Sequence, residues 1–141
     1  MAQDLTVTVS TPYLRSDAES PFWLALDWVS AADGTVALNI METARISNSA
    51  LPSKINGKLK KIETVPGLLG DKATDCPTTL YDITLTDAYG LDVATGSLAD
   101  RSASVAEAIY PAADVIINDD LKLNISNAGD SMKGRIILTF E

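Results

Sequence analysis

Apolar and polar residues alternate with a period of two along most of this sequence, and no other feature constrains the fold as strongly. In LTVTV, residues 5–9, Leu5, Val7 and Val9 alternate with two threonines. Because successive side chains of a strand point to opposite faces, such a segment buries one face and exposes the other. The pattern therefore predicts strands that pair in antiparallel sheets.

The segment FWLALDWV, residues 22–29, repeats this alternation with larger side chains. Its apolar face carries Phe22, Leu24, Leu26 and Trp28. Trp23 falls on the opposite face, so one tryptophan belongs in the core and the other at a subunit interface or under a loop. An Asp33-Gly34 turn and a second alternating run at 35–41 follow, which predicts a hairpin.

Further strands are predicted at 54–65, 81–86, 114–118, 121–126 and 134–140. The lysines of the first of these suit a strand at the edge of a sheet. Helical patterns are weak and confined to 41–50 and 103–109, and the segment 66–79, rich in proline and glycine, is predicted as the longest loop. The spacing of strands and turns predicts a single all-β domain over residues 1–141, a jelly-roll-like antiparallel β-sandwich with about eight or nine short strands.

The composition is that of a folded domain, since 46% of the residues are hydrophobic and 21% are charged. Acidic residues outnumber basic ones by 19 to 11. Such a surface repels phosphate groups, so we expect neither nucleic acid nor a membrane as a partner. The first ten residues lack both the basic and the apolar region of a secretory signal, which predicts synthesis in the cytoplasm.

The sequence contains no histidine and a single cysteine, Cys76. The absence of histidine excludes Ser-His-Asp and Cys-His catalysis and histidine-based metal sites. One cysteine excludes a disulfide within the chain and a cysteine-rich zinc site. Without an imidazole to activate it, Cys76 is interpreted as a passive thiol. We therefore predict that the protein is not an enzyme and has no catalytic residue, cofactor or metal.

Four aspartates remain as candidates for chemistry: Asp82, Asp87, Asp92 and Asp100. Two carboxylates within about 5–10 Å would suit glycoside hydrolysis. Strand alternation instead places Asp82 on the solvent-facing side of its strand, and DAYG, residues 87–90, is a turn with an Asx acceptor in its first position. The alternating oxygen ligands of a calcium loop are missing. We interpret these aspartates as turn and surface residues.

Three stretches follow one another in the second half of the chain: INGKLKKIETVPG, PTTLYDITLTDAYGLDVATGSLADRSAS and LKLNISNAGDSMKGRIILTF. In this order they resemble a family of small virion structural proteins of tailed bacteriophages, over residues 55–140, about 60% of the chain. Each stretch is typical of a β-hairpin, and none is a catalytic motif. Residues 1–54 contribute nothing to the resemblance.

The resemblance implies a structural role in the virion and leaves the position in the particle open. Our first interpretation is a capsid decoration or cement protein, a β-sandwich that binds and stabilises the assembled shell through its edges and loops. Its partners would be other virion proteins, above all the major capsid protein, and its own copies in a dimer or trimer. A neck, tail or fibre-attachment adaptor is the alternative within the virion. A carbohydrate-binding module that stacks sugars on Trp23, Trp28 or Tyr89 is another. We expect the protein in the virion, after synthesis in the host cytoplasm.

The candidate interface residues are Trp23, Trp28, Tyr89 and Arg101. Aromatic side chains and arginine are enriched where an interface loses its water. Arg101 lies in LADRS, the loop that follows the predicted hairpin. A local salt bridge from Arg101 to Asp100 or Asp92 is the alternative interpretation of this residue.

Overall fold

The computed structural model describes residues 2–10, 21–67, 76–78, 80–111 and 115–141. Within these ranges the chain forms one helix, α1 (Ile40–Ser47), and nine strands. The strands are β1 (Asp4–Val9), β2 (Phe22–Val29), β3 (Val36–Asn39), β4 (Gly57–Pro66), β5 (Asp82–Thr86), β6 (Glu107–Ile109), β7 (Val115–Ile117), β8 (Lys122–Ser126) and β9 (Lys133–Phe140). The predicted all-β class, the strand number and the small helical content are confirmed.

The strands form two antiparallel sheets. The large sheet has the order β1-β2-β9-β4-β6. Strand β7 lies on the same side of β4 as β6: β7 pairs with the first residues of β4, and β6 pairs with later residues of β4. The small sheet has the order β3-β8-β5. This arrangement is the predicted sandwich, while the jelly-roll connectivity stays a prediction.

One cluster of buried apolar side chains lies between the sheets. The large sheet contributes Phe22, Leu24, Leu26, Trp28, Leu59, Ile62, Ile136, Leu138 and Phe140. The small sheet contributes Val36, Ile83, Leu85, Leu123 and Ile125. The inward faces predicted from the alternation of β2, β5 and β9 are therefore confirmed.

Helix α1 follows β3 directly and packs against β1. Asn39 stands at the N-cap position but makes no side-chain cap, and the carboxylate of Asp120 takes over this role. Its oxygens accept hydrogen bonds from the amides of Met41 (2.7 Å) and Glu42 (3.1 Å). Because Asp120 belongs to the β7–β8 loop, this cap fastens the helix to the small sheet. The helix predicted at 41–50 is confirmed over its first part.

The hairpin predicted from the Asp33-Gly34 turn is wrong. The turn forms, since the amide of Gly34 donates to the carbonyl of Ala31 (2.9 Å). Its two flanking strands nevertheless belong to different sheets, because β2 pairs with β1 and β9 whereas β3 pairs with β8. Each strand buries its apolar face toward the other across the core, which a hairpin within one sheet would not allow.

The edge position predicted for the lysine-rich strand is also wrong. Strand β4 lies inside the large sheet, between β9 on one side and β6 and β7 on the other. Its lysines are tolerated there because the strand turns one face to solvent: Lys61, for example, forms an ion pair with Glu63 (2.9 Å). Of the long loop predicted at 66–79, residues 68–75 and 79 lie outside the described residues.

Residues 103–109 do not form the predicted helix. The hydroxyl of Ser102 accepts hydrogen bonds from the amides of Ser104 (3.2 Å) and Val105 (3.0 Å), and these bonds favour a bend over a helix. The carboxylate of Glu107 accepts the amide of Ser102 (2.7 Å). The last three residues of the segment form strand β6 and not a helical turn.

At the centre of the core, the indole of Trp28 in β2 lies against the backbone of Gly134 in β9. The two residues are opposite each other in the register of these strands. A Cβ added at Gly134 would lie 2.6 Å from Cε2 and 2.8 Å from Nε1 of the indole. The indole also packs against Tyr81, with ring centroids 5.7 Å apart. The largest side chain of the core therefore requires glycine at position 134.

We expect Gly134→Ala to lower the free energy of unfolding by about 1–3 kcal/mol, because the new methyl group overlaps a fully buried ring. Urea denaturation monitored by tryptophan fluorescence or circular dichroism measures this loss. The same substitution in a Trp28→Phe background is the control, since the smaller ring leaves room for the methyl group. Equal losses in both backgrounds would contradict the proposed overlap.

Candidate interaction surfaces

The turn that follows β5 is held by one aspartate. The carboxylate of Asp87 accepts hydrogen bonds from the amides of Tyr89 (2.9 Å) and Leu91 (3.0 Å). The amide of Gly90 donates to the carbonyl of Asp87 (3.1 Å), and Gly90 adopts a φ of +83° that favours glycine. The Asx turn predicted for DAYG is confirmed.

This turn presents two large apolar side chains to solvent. The exposed fraction is 94% for Tyr89 and 66% for Leu91. Because Asp87 fixes the backbone of both residues, little backbone freedom remains to be lost when a partner binds them. We call residues 87–91 the Tyr89 turn. Its apolar tip is the feature most suited to recognition of another protein, and sequence reasoning missed Leu91.

The segment after the Tyr89 turn protects the outer edge of β5. The carboxylate of Asp92 accepts hydrogen bonds from the amides of Leu85 (3.3 Å), Ala94 (3.0 Å) and Gly96 (2.8 Å). The amide of Ile83 in β5 donates to the carbonyl of Leu98 (3.1 Å). Residues 92–101 therefore occupy backbone groups that an open strand edge would offer to other chains.

Asp82 joins three separate parts of the chain. Its carboxylate accepts the amide of Asp100 (2.9 Å) and the side-chain amide of Asn127 (2.8 Å). The bond from Asp100, followed by that from Asn127, holds the pKa of Asp82 below its usual value. Asp82, Asp87 and Asp92 are thus bound to backbone or side-chain donors, in agreement with their interpretation as turn and surface residues.

Arg101 is bound within its own loop. Its Nε and Nη2 atoms donate to the carbonyl of Ala99 (3.2 and 3.0 Å), and Nη1 lies 3.7 Å from a carboxylate oxygen of Glu107. The alternative of a local ion pair is therefore confirmed, but the partner predicted for it, Asp100 or Asp92, is wrong. Glu107 takes this place because β6 brings it beside the loop, while Asp92 is occupied by backbone amides.

The two tryptophans lie on opposite faces of β2, as their spacing predicted. Trp28 is fully buried, so its assignment as an interface or sugar-stacking residue is wrong: no surface of its ring reaches a partner. Trp23 is 42% exposed on the outer face of the large sheet, opposite Thr139 of β9. Trp23 and Tyr89 therefore remain the exposed aromatic candidates of the original set.

The outer face of the large sheet around Trp23 carries an ion pair and a cation–π contact. Arg135 of β9 binds Asp27 of β2 with two hydrogen bonds, Nε to Oδ1 (2.5 Å) and Nη2 to Oδ2 (2.9 Å). The Asp27 carboxylate raises the pKa of Arg135. On β4, the ammonium of Lys61 lies 5.7 Å from the ring centre of Tyr110. Because these polar side chains bind one another, this face of the sheet is polar and ordered.

The described residues contain no group of three or more His, Cys, Asp or Glu side chains that would hold a metal ion. Tyr81 is buried, and this burial raises the pKa of its phenol. None of these residues belongs to a helix long and apolar enough to cross a membrane.

Comparisons of the chain with protein-family models, with curated proteins and with solved structures found no match. The resemblance of residues 55–140 to virion proteins of tailed bacteriophages therefore stays a prediction. The surface described above is the physical basis for a proposal about function.

We expect Asp82→Asn to lower the free energy of unfolding by about 1 kcal/mol at pH 7, because a charge-assisted acceptor becomes a neutral one. The pKa of Asp82 is lowered in the folded state. Its contribution is therefore present above the unfolded pKa of about 3.9 and disappears as the pH falls through the folded value. Urea midpoints at pH 7, 5 and 3 measure the difference between the two proteins.

The control for this experiment is Asp130→Asn. Asp130 is exposed and accepts a hydrogen bond from the neighbouring Ser131 hydroxyl (2.7 Å). This substitution should change stability little at any of the three pH values. A difference between wild type and Asp82→Asn that stayed constant from pH 7 to pH 3 would contradict the role assigned to the Asp82 carboxylate.

Proposed function

We propose that this chain is a structural protein of a tailed-bacteriophage virion, a capsid decoration protein that binds the assembled shell and stabilises it. The order of the three stretches within residues 55–140 supports the virion assignment. The partner in this proposal is the major capsid protein, with further contacts between copies of this chain in a dimer or trimer. The protein would be made in the host cytoplasm and act in the virion.

The observation that carries the proposal is the Tyr89 turn. A tyrosine that is 94% exposed on a backbone fixed by Asp87 offers a large ring to a partner at little cost in backbone freedom. Tyrosine is among the residues that dominate binding energy when they enter a pocket on a partner. A binding role that depends on such a side chain needs no catalytic group, in accord with the chemistry of this surface.

A rigid binding loop also suits a neck, tail or fibre-attachment adaptor, which is the alternative within the virion. The two roles differ in the number of copies per particle. A shell offers the same binding site many times, whereas a neck or tail ring offers it a few times. The copy number therefore separates the two roles without any knowledge of the contact surface.

We expect Tyr89→Ala to weaken binding to shells assembled from the major capsid protein of the same phage by at least about tenfold. Its melting temperature should stay at the wild-type value, because the removed side chain is almost fully exposed. Co-sedimentation of the purified protein with shells measures the affinity.

The matched control is Tyr110→Ala, since Tyr110 is also exposed (67%) but lies outside the Tyr89 turn. This variant should bind as wild type. Asp87→Ala, which releases the backbone of the turn, should weaken binding while Tyr89 itself is kept. Wild-type affinity of Tyr89→Ala would contradict the role of this turn.

Quantitative mass spectrometry of purified particles tests the position in the virion. We expect hundreds of copies per particle, since a decoration protein repeats with the symmetry of the shell. About a dozen copies would instead identify a neck or tail component, and absence from the particles would contradict both roles.

A further inference from the structure

A groove lies beside the Tyr89 turn and shares residues with it. Asp87 and Ala88 belong to the turn and also line the groove, which has a volume of about 400 Å³. Other lining residues come from the beginning of α1, from the β7–β8 loop and from the start of β8. The exposed side chains of Tyr89 and Leu91 are therefore directly adjacent to a concave surface.

The lining of this groove is strongly acidic. Its carboxylates are Glu42, Asp87, Asp119 and Asp120, and among the described residues that line it Lys122 is the only basic one. Backbone amides hold three of the carboxylates in place, as the amide of Asp120 does for Asp119 (2.8 Å). These donors are neutral, so they fix the carboxylates without cancelling their charge. A cleft lined by one sign of charge concentrates the field that a partner meets.

Acidic groups outnumber basic ones here even when the adjoining cavity is included. That cavity shares Glu42 and Asp120 with the groove and adds Arg45, which makes four carboxylates against two basic residues. Partial burial raises the pKa of Asp120 and the charge of Glu42 adds to the rise, against the lowering effect of the amides of Met41, Glu42 and Leu121. A cation bound between these carboxylates would stabilise their ionised form.

We propose that the Tyr89 turn and this groove together bind a partner protein whose surface carries a basic side chain beside an apolar pocket. The pocket receives Tyr89 and Leu91, and the basic side chain enters the groove. The carboxylates of the groove identify the charge of the partner, and the exposed ring identifies its apolar part. Arginine suits the groove best, because its planar guanidinium binds carboxylates through two parallel hydrogen bonds. The proposal rests on the binding role of the Tyr89 turn and adds the chemistry of the surface that the turn meets.

Co-sedimentation with shells tests the charged part of this surface. Glu42→Lys reverses one charge in the groove, and we expect it to weaken binding at least about fivefold. The matched control is Asp130→Lys, because Asp130 is exposed, lies outside the groove lining and changes the net charge by the same amount. This control should weaken binding by less than about twofold at an ionic strength of about 0.15 M, where distant charges are screened.

Lys122→Gln provides a test in the opposite direction. Its removal leaves the carboxylates of the groove without the basic residue that competes with the partner's cation. Binding to shells should therefore become at least about twofold tighter. A variant that failed to fold would not gain affinity, so this result is independent of any loss of stability.

A peptide probe tests the groove without any phage component. The probe is the acetylated and amidated pentapeptide LRGRL, and its control is LEGEL, which has the same apolar residues and the opposite charge. In a titration of the ¹⁵N-labelled protein, we expect LRGRL to shift the amide signals of Ala88, Asp119 and Lys122 with a dissociation constant on the order of 1 mM. LEGEL should produce no saturable shifts of these signals.

The outcomes distinguish this proposal from the decoration role. Weaker shell binding by Tyr89→Ala together with wild-type binding by Glu42→Lys and Lys122→Gln would contradict the basic partner and leave the decoration role in place. Binding of LRGRL in the groove by a protein that does not bind shells would contradict the decoration role and support a basic partner outside the shell. Equal shifts with LRGRL and LEGEL, or none with LRGRL, would overturn the proposal.

Discussion

The close approach of Trp28 to Gly134 determines how the rest of the large sheet is built. The indole lies on the inward face of β2 and needs a neighbouring position on β9 without a side chain. This requirement fixes the register of the two central strands, because a slip by one residue would place Arg135 against the ring and reverse every side chain of β9. With that register set, Leu24 and Leu26 meet Leu138 and Ile136 across the pair. The core layer that supports both sheets follows from this one contact.

A sandwich built on such a layer leaves turns and strand edges with unpaired amides, and aspartates bind many of them. Asp87, Asp92 and Asp82 hold the Tyr89 turn, the cover of β5 and the loop at Asp100. Asp120 caps α1 from a different loop. An ionised carboxylate accepts several amide donors at once and binds them more strongly than a neutral acceptor. Part of the acidic character of the chain is therefore structural, and the excess of acidic residues is not by itself a sign of a basic partner.

Structural features that depend on neighbouring residues can be predicted from the sequence. Features that depend on contacts between distant segments cannot. The inward faces of β2, β5 and β9 follow from alternation, and the turn at Asp87 follows from the order of Asp, Tyr and Gly. The pairing of β3 with β8 does not, because the same alternation permits β2 as a partner and core packing chooses between them. The cap of α1 by Asp120 is equally invisible, since donor and acceptor are 79 residues apart. Alternation also separates the two tryptophans: it places Trp28 on the apolar, inward face of β2 and Trp23 on the opposite face.

The Tyr89 turn combines a fixed backbone with exposed side chains. Asp87 binds the amides of Tyr89 and Leu91, so the turn has little backbone freedom left to lose when a partner covers it. Side chains held in this way select a partner by the shape of its pocket. The cost of ordering this surface is therefore met when the chain folds, by the same aspartate that forms the turn.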